Sequence, residues 1–348
     1  MNLIYLFYHG SVQYGRFYGL DNCRNRKFFP ETNVDSGADT DPKLPDFKMQ
    51  EDEKMNRDEK EILQQDRTQK EQHPGAVFVI HLLMKEPAAM PEKEHMTKIM
   101  EKHLGPVECF CHDAKTAGFA PQKYRAEFKD ASLPPQLMVM ECIPTDGFKI
   151  DEITRSQFWD CPDSETILKE CGYHVVAVDM LGGGMNYRDR AEMLVDYIEA
   201  LVELYPGCVA VFFQSSGKMF TREQILHNKV PKEQRFIYYA VNCRFFNIQG
   251  KDDKLVDTLG MSTLYLPDLQ YHFHGMDPNV VVNHAYNLLI YLFDNDCPID
   301  NGETVDGIEN GEMSQNVKWK CQYEDSLLQP VRLVLDVNMG PYASGNRS

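Results

Sequence analysis

The sequence predicts an α+β protein: mixed β-sheets with flanking helices, arranged as two pseudo-repeated β-α-β-β units. Three observations carry this. Short, nearly continuous apolar runs recur between Gly, Pro, Asn and Asp punctuation, as buried strands do. A few longer stretches repeat their apolar residues every three to four positions, as packed helices do. The order of these elements restarts at Tyr173.

Residues 1–74 read as a weakly ordered leader. Positions 1–29 are aromatic and basic without a period, and the rest is polar and charged around EKEILQQD. One globular α+β domain is expected over 75–340, with halves at 75–160 and 172–340, and a frayed tail over 341–348. Val77 to Met84 is the first buried strand. Pro91 and the acidic Glu92 and Glu94 open a helix that Gly105 ends. VECFCH, KYRAEFKD and QLMVMECI read as strands, and IDEITRSQFWDC as a helix.

The order then restarts with the strand YHVVAVDML. The stretch 187–204 has the strongest helical period, through Met193, Leu194, Tyr197, Ile198, Leu201 and Val202, and Pro206-Gly207 stops it. CVAVFF is the next strand, FIYYAVNCRFF and LVDTLGM pair across NIQGKDD, and PNVVVNHAYNLLIYLF is a buried helix. VKWKCQYE and VRLVLDVN close the domain as an antiparallel pair.

Of the 348 residues 43% are hydrophobic, enough for a sizeable core. The formal net charge is −17, and residues 1–75 supply little of it, with 14 acidic against 11 basic residues. An acidic body repels phosphate backbones, so no nucleic-acid partner is expected. Ten cysteines are spread without a C-x-x-C pair, several inside apolar runs, and read as reduced thiols. MNLIYLFYHG lacks the basic region of a signal peptide, and AYNLLIYLF is about half a membrane span. The expectation is a cytoplasmic protein without a membrane partner.

The best-placed polar cluster follows two strands joined by the 187–204 helix. That crossover makes the strands parallel, so LGGGMNYR and QSSGK lie at one sheet edge, where ligands often bind. Gly182, Gly183 and Gly184 allow close backbone approach. Ser215, Ser216 and Lys218, with Arg188, would hold a small anionic or polar ligand. The alternative is a plain turn beside solvated charges. Neither loop fits a Walker or dinucleotide fingerprint, and no cofactor is implied. The acids of the 187–204 helix read as a solvated face.

The stretch DTLGMSTLYLPDLQYHFHGMDP carries His272 and His274 two apart, beside Asp268. On a strand the two rings share a face, and with a third ligand such as Asp268, Asp257 or His284 they would bind Zn²⁺ or Fe²⁺. The spacing is not diagnostic, so scaffolding is the first reading. Asp277-Pro278 opens the next helix, and His284 reads as a hydrogen-bonded core histidine.

The D-T-L-G-M turn, the L-P-D-x-Q-Y segment, the D-P-N helix start and the tails I-x-x-G-E-T-V and P-x-R-x-V-L-D resemble the bacterial domain-of-unknown-function family 4261. The resemblance spans roughly 75–340, and the C-terminal half carries nearly all of it. It implies a cytoplasmic bacterial α+β domain and assigns no activity. The first functional expectation is therefore a non-enzymatic binding or interaction module with an acidic surface, of an immunity type, facing a basic protein partner. The alternatives are a ligand-binding protein or enzyme built on the glycine and Ser-Ser-Gly-Lys loops, and a histidine metal site.

Overall fold

The computed structural model describes residues 75–248 and 251–345; the expected leader over 1–74 lies outside them. Strand β1 (Val79–Met84) leads through helix α1 (Lys93–Leu104) to β2 (Val107–His112), β3 (Thr116–Pro121), the small hairpin β4 (Ala126–Phe128) and β5 (Ala131–Leu133), and β6 (Gln136–Pro144). Two short helices, α2 (Glu152–Ser156) and α3 (Ser164–Glu170), precede β7 (Tyr173–Met180). Helix α4 (Tyr187–Leu204) then leads to β8 (Cys208–Phe213) and β9 (Lys218–Thr221).

Apart from β4 and β5, which pair only with each other, these strands form one antiparallel sheet, ordered β2-β3-β6-β7-β1-β8-β9. Its centre, β8-β1-β7-β6, has the split β-α-β connectivity of ferredoxin-like sheets, with strands added at both edges. Both β-α-β-β successions, β1-α1-β2-β3 and β7-α4-β8-β9, lie in this single sheet. β7 pairs with both β1 and β6.

Helices α5 (Arg222–Leu226) and α6 (Arg235–Ala240) lead into the second sheet. Its strands are β10 (Asn242–Asn247), β11 (Lys254–Leu259), β12 (Asp268–Phe273) and, after helix α7 (Pro278–Asp294), β13 (Thr304–Glu309), β14 (Glu312–Asp325) and β15 (Leu333–Asn338). The order is β10-β11-β12-β15-β14-β13, with only β12 and β15 parallel. FIYYAVNCRFF is thus half helix and half strand. Every residue of FIYYA except Tyr238 is buried, and an all-apolar run has no period to separate helix from strand.

A single apolar core joins α1, α4 and α7 to the inner faces of both sheets. On the outer face of the first sheet, Leu83, Ala210, Phe212 and Met219 pack under Phe158, Cys161 and Ile167 of the 145–171 segment. Helix α4 is buried almost all round, and of its acids only Asp189 is exposed, so they do not form the expected solvated face. Glu192 pairs with Lys123, the buried Asp196 with Lys232, and Glu199 with Arg235, each at 2.7 Å. The tail is pinned as far as Ser344, because Ala343 bridges to Phe273 and Ser344 N–H donates to the His272 carbonyl.

Candidate functional site

The turn between β8 and β9 is built from Gln214, Ser215, Ser216 and Gly217. Gly217 has φ +61°, and a Cβ there would meet the Thr154 methyl at 2.9 Å, so the turn lies directly against α2. The α2 N-cap Asp151 accepts from Thr154 N–H and hydroxyl at 2.9 and 2.8 Å, which fixes that face. Asn242 at the start of β10 donates to the Gly217 carbonyl at 3.0 Å. The first sheet, the 147–157 segment, β10 and Gln329-Pro330 thereby enclose a cleft of about 690 Å³.

Phe148, Phe212 and Phe246 wall the cleft, with Val79 and Ile150. Its polar side holds Ser215, Ser216 and Gln329. Ser216 is fully buried, and the hydroxyls of Ser215 and Ser216 and the Gln329 Nε2 have no hydrogen-bond partner among the described residues. Buried polar atoms are nearly always paired, and these three lie beneath the surface of the cleft, out of reach of a water-sized probe. Neither serine hydroxyl has a partner among the described residues that would act as a base.

Beneath Phe148 lie His81 and His174, ring centroids 5.1 Å apart. His81 Nε2 donates to Gln214 Oε1 at 2.8 Å, which orients a side chain that lines the cleft. Burial holds both imidazoles below the ordinary histidine value, His174 at about 4. Both are neutral at pH 7.

Arg244 borders the cleft as one end of a buried ionic chain. It grips Asp257 in a fork, Nε to Oδ1 at 2.9 Å and Nη2 to Oδ2 at 2.6 Å. Arg332 reaches Asp257 at 2.8 Å and Asp268 at 3.0 Å. Asp268 also accepts from Thr258 Oγ1 at 3.0 Å and Met261 N–H at 3.1 Å. Gln270 Nε2 donates to Glu324 at 2.9 Å and Asp336 at 3.2 Å. The motif residues of D-T-L-G-M, L-P-D-x-Q-Y and P-x-R-x-V-L-D therefore assemble into the polar lining of the second sheet.

The predicted ligand cluster comes apart. Ser215 and Ser216 line the cleft, and Lys218 does not. Lys218 is buried, donates to the carbonyls of Tyr238 and Val241 at 2.7 and 2.8 Å, and lies 3.4 Å from Asp160. Alternation along β9 turns Lys218 to the opposite face from Met219. Arg188 donates to the Asp294 carbonyl at 2.8 Å and caps the end of α7. Gly182 lies against a buried ion pair, Asp179 with Arg190 at 2.8 Å, Gly183 against Tyr265, and Gly184 against the backbone of Glu127. The glycine run is a packing feature.

The metal reading is corrected as well. Asp268 is spent on Arg332, while His272 faces Asp253 at 3.6 Å and His274 Nδ1 lies 3.0 Å from Ser344 Oγ. Among the described residues no three His, Cys, Asp or Glu side chains gather as a metal requires. His284 is the expected core histidine, between Tyr271 and the Asp306 carbonyl at 2.9 and 2.8 Å.

Sequence reasoning missed Arg244, Gln157, Asn242, Gln329 and the 147–154 cover. The available signal was the alternation of Asn242 and Arg244 within an apolar strand, which marks a polar face that something must satisfy. Burial pushes the thiols of Cys161, Cys208 and Cys321 up to about 12, and of these only Cys208 lies in an apolar run of sequence. No helix among the described residues is long and apolar enough to cross a membrane.

A family model described as Domain of unknown function (DUF4261) matches residues 257–338. The match begins at Asp257 and takes in β12, α7 and β13 to β15, so it covers most of the second sheet and none of the first. It is narrower than the expected 75–340. No curated protein and no solved structure matches the chain.

Proposed function

We propose that this protein is a non-enzymatic binding module that takes a small polar molecule into the cleft between its two sheets. The observation that carries the reading is the cleft itself, walled by Phe148, Phe212 and Phe246 beside the exposed side chain of Gln214. A volume of about 690 Å³ lies within the range of small-molecule sites. The nine described cysteines are all free, which supports a reducing cytoplasm.

A thermal-shift screen of polar metabolites against the full chain tests this. A ligand of the cleft raises the melting temperature of the native protein. It leaves unchanged a folded Ile150→Trp variant, whose added ring fills the cleft. Equal shifts in both proteins would place the ligand elsewhere and defeat the reading.

The net charge of −17 supports a second reading, in which long-range attraction steers a basic protein partner to the body. Association that survives unchanged from low to high salt would count against it.

A further inference from the structure

Among the described residues, the outer face of the first sheet is only half covered. Leu83, Ala210, Phe212 and Met219 lie under the 145–171 segment. Alternation along β1 puts Val79 and Val77 on the same face as Leu83. Residues directly opposite one another share a face, and the register carries this one across the sheet. Val79 stands opposite Val178, Val178 opposite Met138, and Met138 opposite Gly118. Gly118 has no side chain, and the Phe110 ring fills the space above it.

This half of the face is apolar from β1 to the β2 edge. Val77, Met180 and Phe110 are 54, 44 and 41% exposed, and Val79, Val178 and Met138 are half-buried. None of these side chains packs into either buried cluster. A contiguous apolar surface of this kind marks a site of contact.

The chain itself supplies a fitting occupant. The described residues begin at Gly75, two positions before Val77, so residues 1–74 join the fold at the margin of the open face. Within them the run LIYLFY, residues 3–8, is followed by Val12, Tyr14, Phe17, Tyr18 and Leu20. From β1 to β3 the face spans about 15 Å, at about 4.8 Å per strand. An extended chain covers about 3.5 Å per residue, so residues 21–74 reach any point of it.

Charge favours this occupant over a second copy. The chain carries −17, and the exposed Glu108 stands opposite Ala120 on the open face. Two copies meeting here would bring two acidic bodies together. The stretch 16–27 carries Arg16, Arg24, Arg26 and Lys27 against Asp21, the opposite sign to the body.

We infer that residues 3–20 dock on the open outer face of the first sheet, over Val79, Val178, Met138 and Phe110. The apolar start of the chain is a cover for the sheet.

A photo-crosslinker on the face of the full chain, Val178→p-benzoylphenylalanine, tests this. Light and isotopically heavy chains are mixed, irradiated and mapped by peptide mass. The expected cross-links join position 178 to residues 3–20 of the same chain. Mixed light–heavy cross-links would identify a second copy and overturn the inference. Cross-links only to other segments, or none, overturn it as well.

Trypsin cleavage after Arg16 under native conditions gives an independent readout. It follows the population of the released segment, so the parent should be cut at least about tenfold more slowly than Leu6→Asp or Val178→Asp. Both variants should keep the circular dichroism of the parent, because neither position lies in the buried core. Met138→Gln replaces Val178→Asp should that variant lose its fold. Equal rates in all chains overturn the docking. Faster cleavage in Leu6→Asp alone places the segment elsewhere and overturns this face as its site.

Discussion

The side-chain amide of Gln157 holds the backbone of Phe245 at both of its polar groups. Its Oε1 accepts from Phe245 N–H at 2.9 Å, and its Nε2 donates to the Phe245 carbonyl at 3.3 Å. Phe245 lies on β10, the edge strand of the second sheet, and Gln157 follows α2 over the outer face of the first. One amide side chain thus imitates a neighbouring strand, quiets an open edge and ties the two sheets together beside the cleft.

Gln157→Leu should leave a peptide N–H and carbonyl without their protein partner. The expected loss is about 1–3 kcal/mol in a urea titration, the usual cost of such orphaned groups. Hydrogen exchange at the Phe245 amide should accelerate more than at residues of β11. Gln157→Glu keeps the acceptor but buries a carboxylate against the Phe245 carbonyl, so its loss should be the larger of the two.

Removing the Arg332 side chain should be among the most damaging changes in the second sheet. Asp257 and Asp268 are fully buried and share this guanidinium. Breaking such a pair from one side costs about 3–5 kcal/mol, because a charge is left buried. Arg332→Met should show a loss of that order by chemical denaturation. Adding Asp268→Asn should restore part of it, since the stranded charge is then absent.

Two glycines should separate by geometry alone. Gly260, in the D-T-L-G-M turn, has φ +142°, and a Cβ there would meet the Ala240 carbonyl oxygen at 2.3 Å. Gly260→Ala should cost about 3 kcal/mol or prevent folding. Gly147, at the cleft mouth, has nothing within 4 Å of its Cβ position. Gly147→Ala should stay within about 0.5 kcal/mol of the parent. Equal losses would mean that the turn tolerates a side chain.

Acid should act on the core through His284. Burial lowers its pKa from 6.5 to about 4, so the unfolded chain takes up its proton first as pH falls. Its contribution is constant above pH 6.5 and is lost between pH 6.5 and 4. The full loss is about 3 kcal/mol at 1.36 kcal/mol per pKa unit. Denaturation curves at pH 7.5 and 5 should show the parent losing more stability than a His284→Gln variant over the same interval. Parallel losses would remove His284 as the cause.

The sequence by itself determined the α+β class and most of the elements that make it. A long run with a 3.6-residue period, such as Met193–Val202, admits one local structure, because only a helix brings its apolar residues to one face. The motif residues Asp257, Asp268 and Arg332 stood out through the family resemblance, with the two aspartates read as metal-ligand candidates, and the structure gives them to buried ion pairs instead. Only the tertiary structure decided which polar residues meet. Ser215 and Lys218 are three positions apart, yet one faces the cleft and the other the carbonyls of α6. Gln157 and Phe245 are 88 positions apart and share two hydrogen bonds. Local pattern reports which face of an element is apolar, but not which other element covers it. The cleft exists because the 147–157 segment, β10 and Gln329 converge there, a result of long-range packing that no short window of sequence contains.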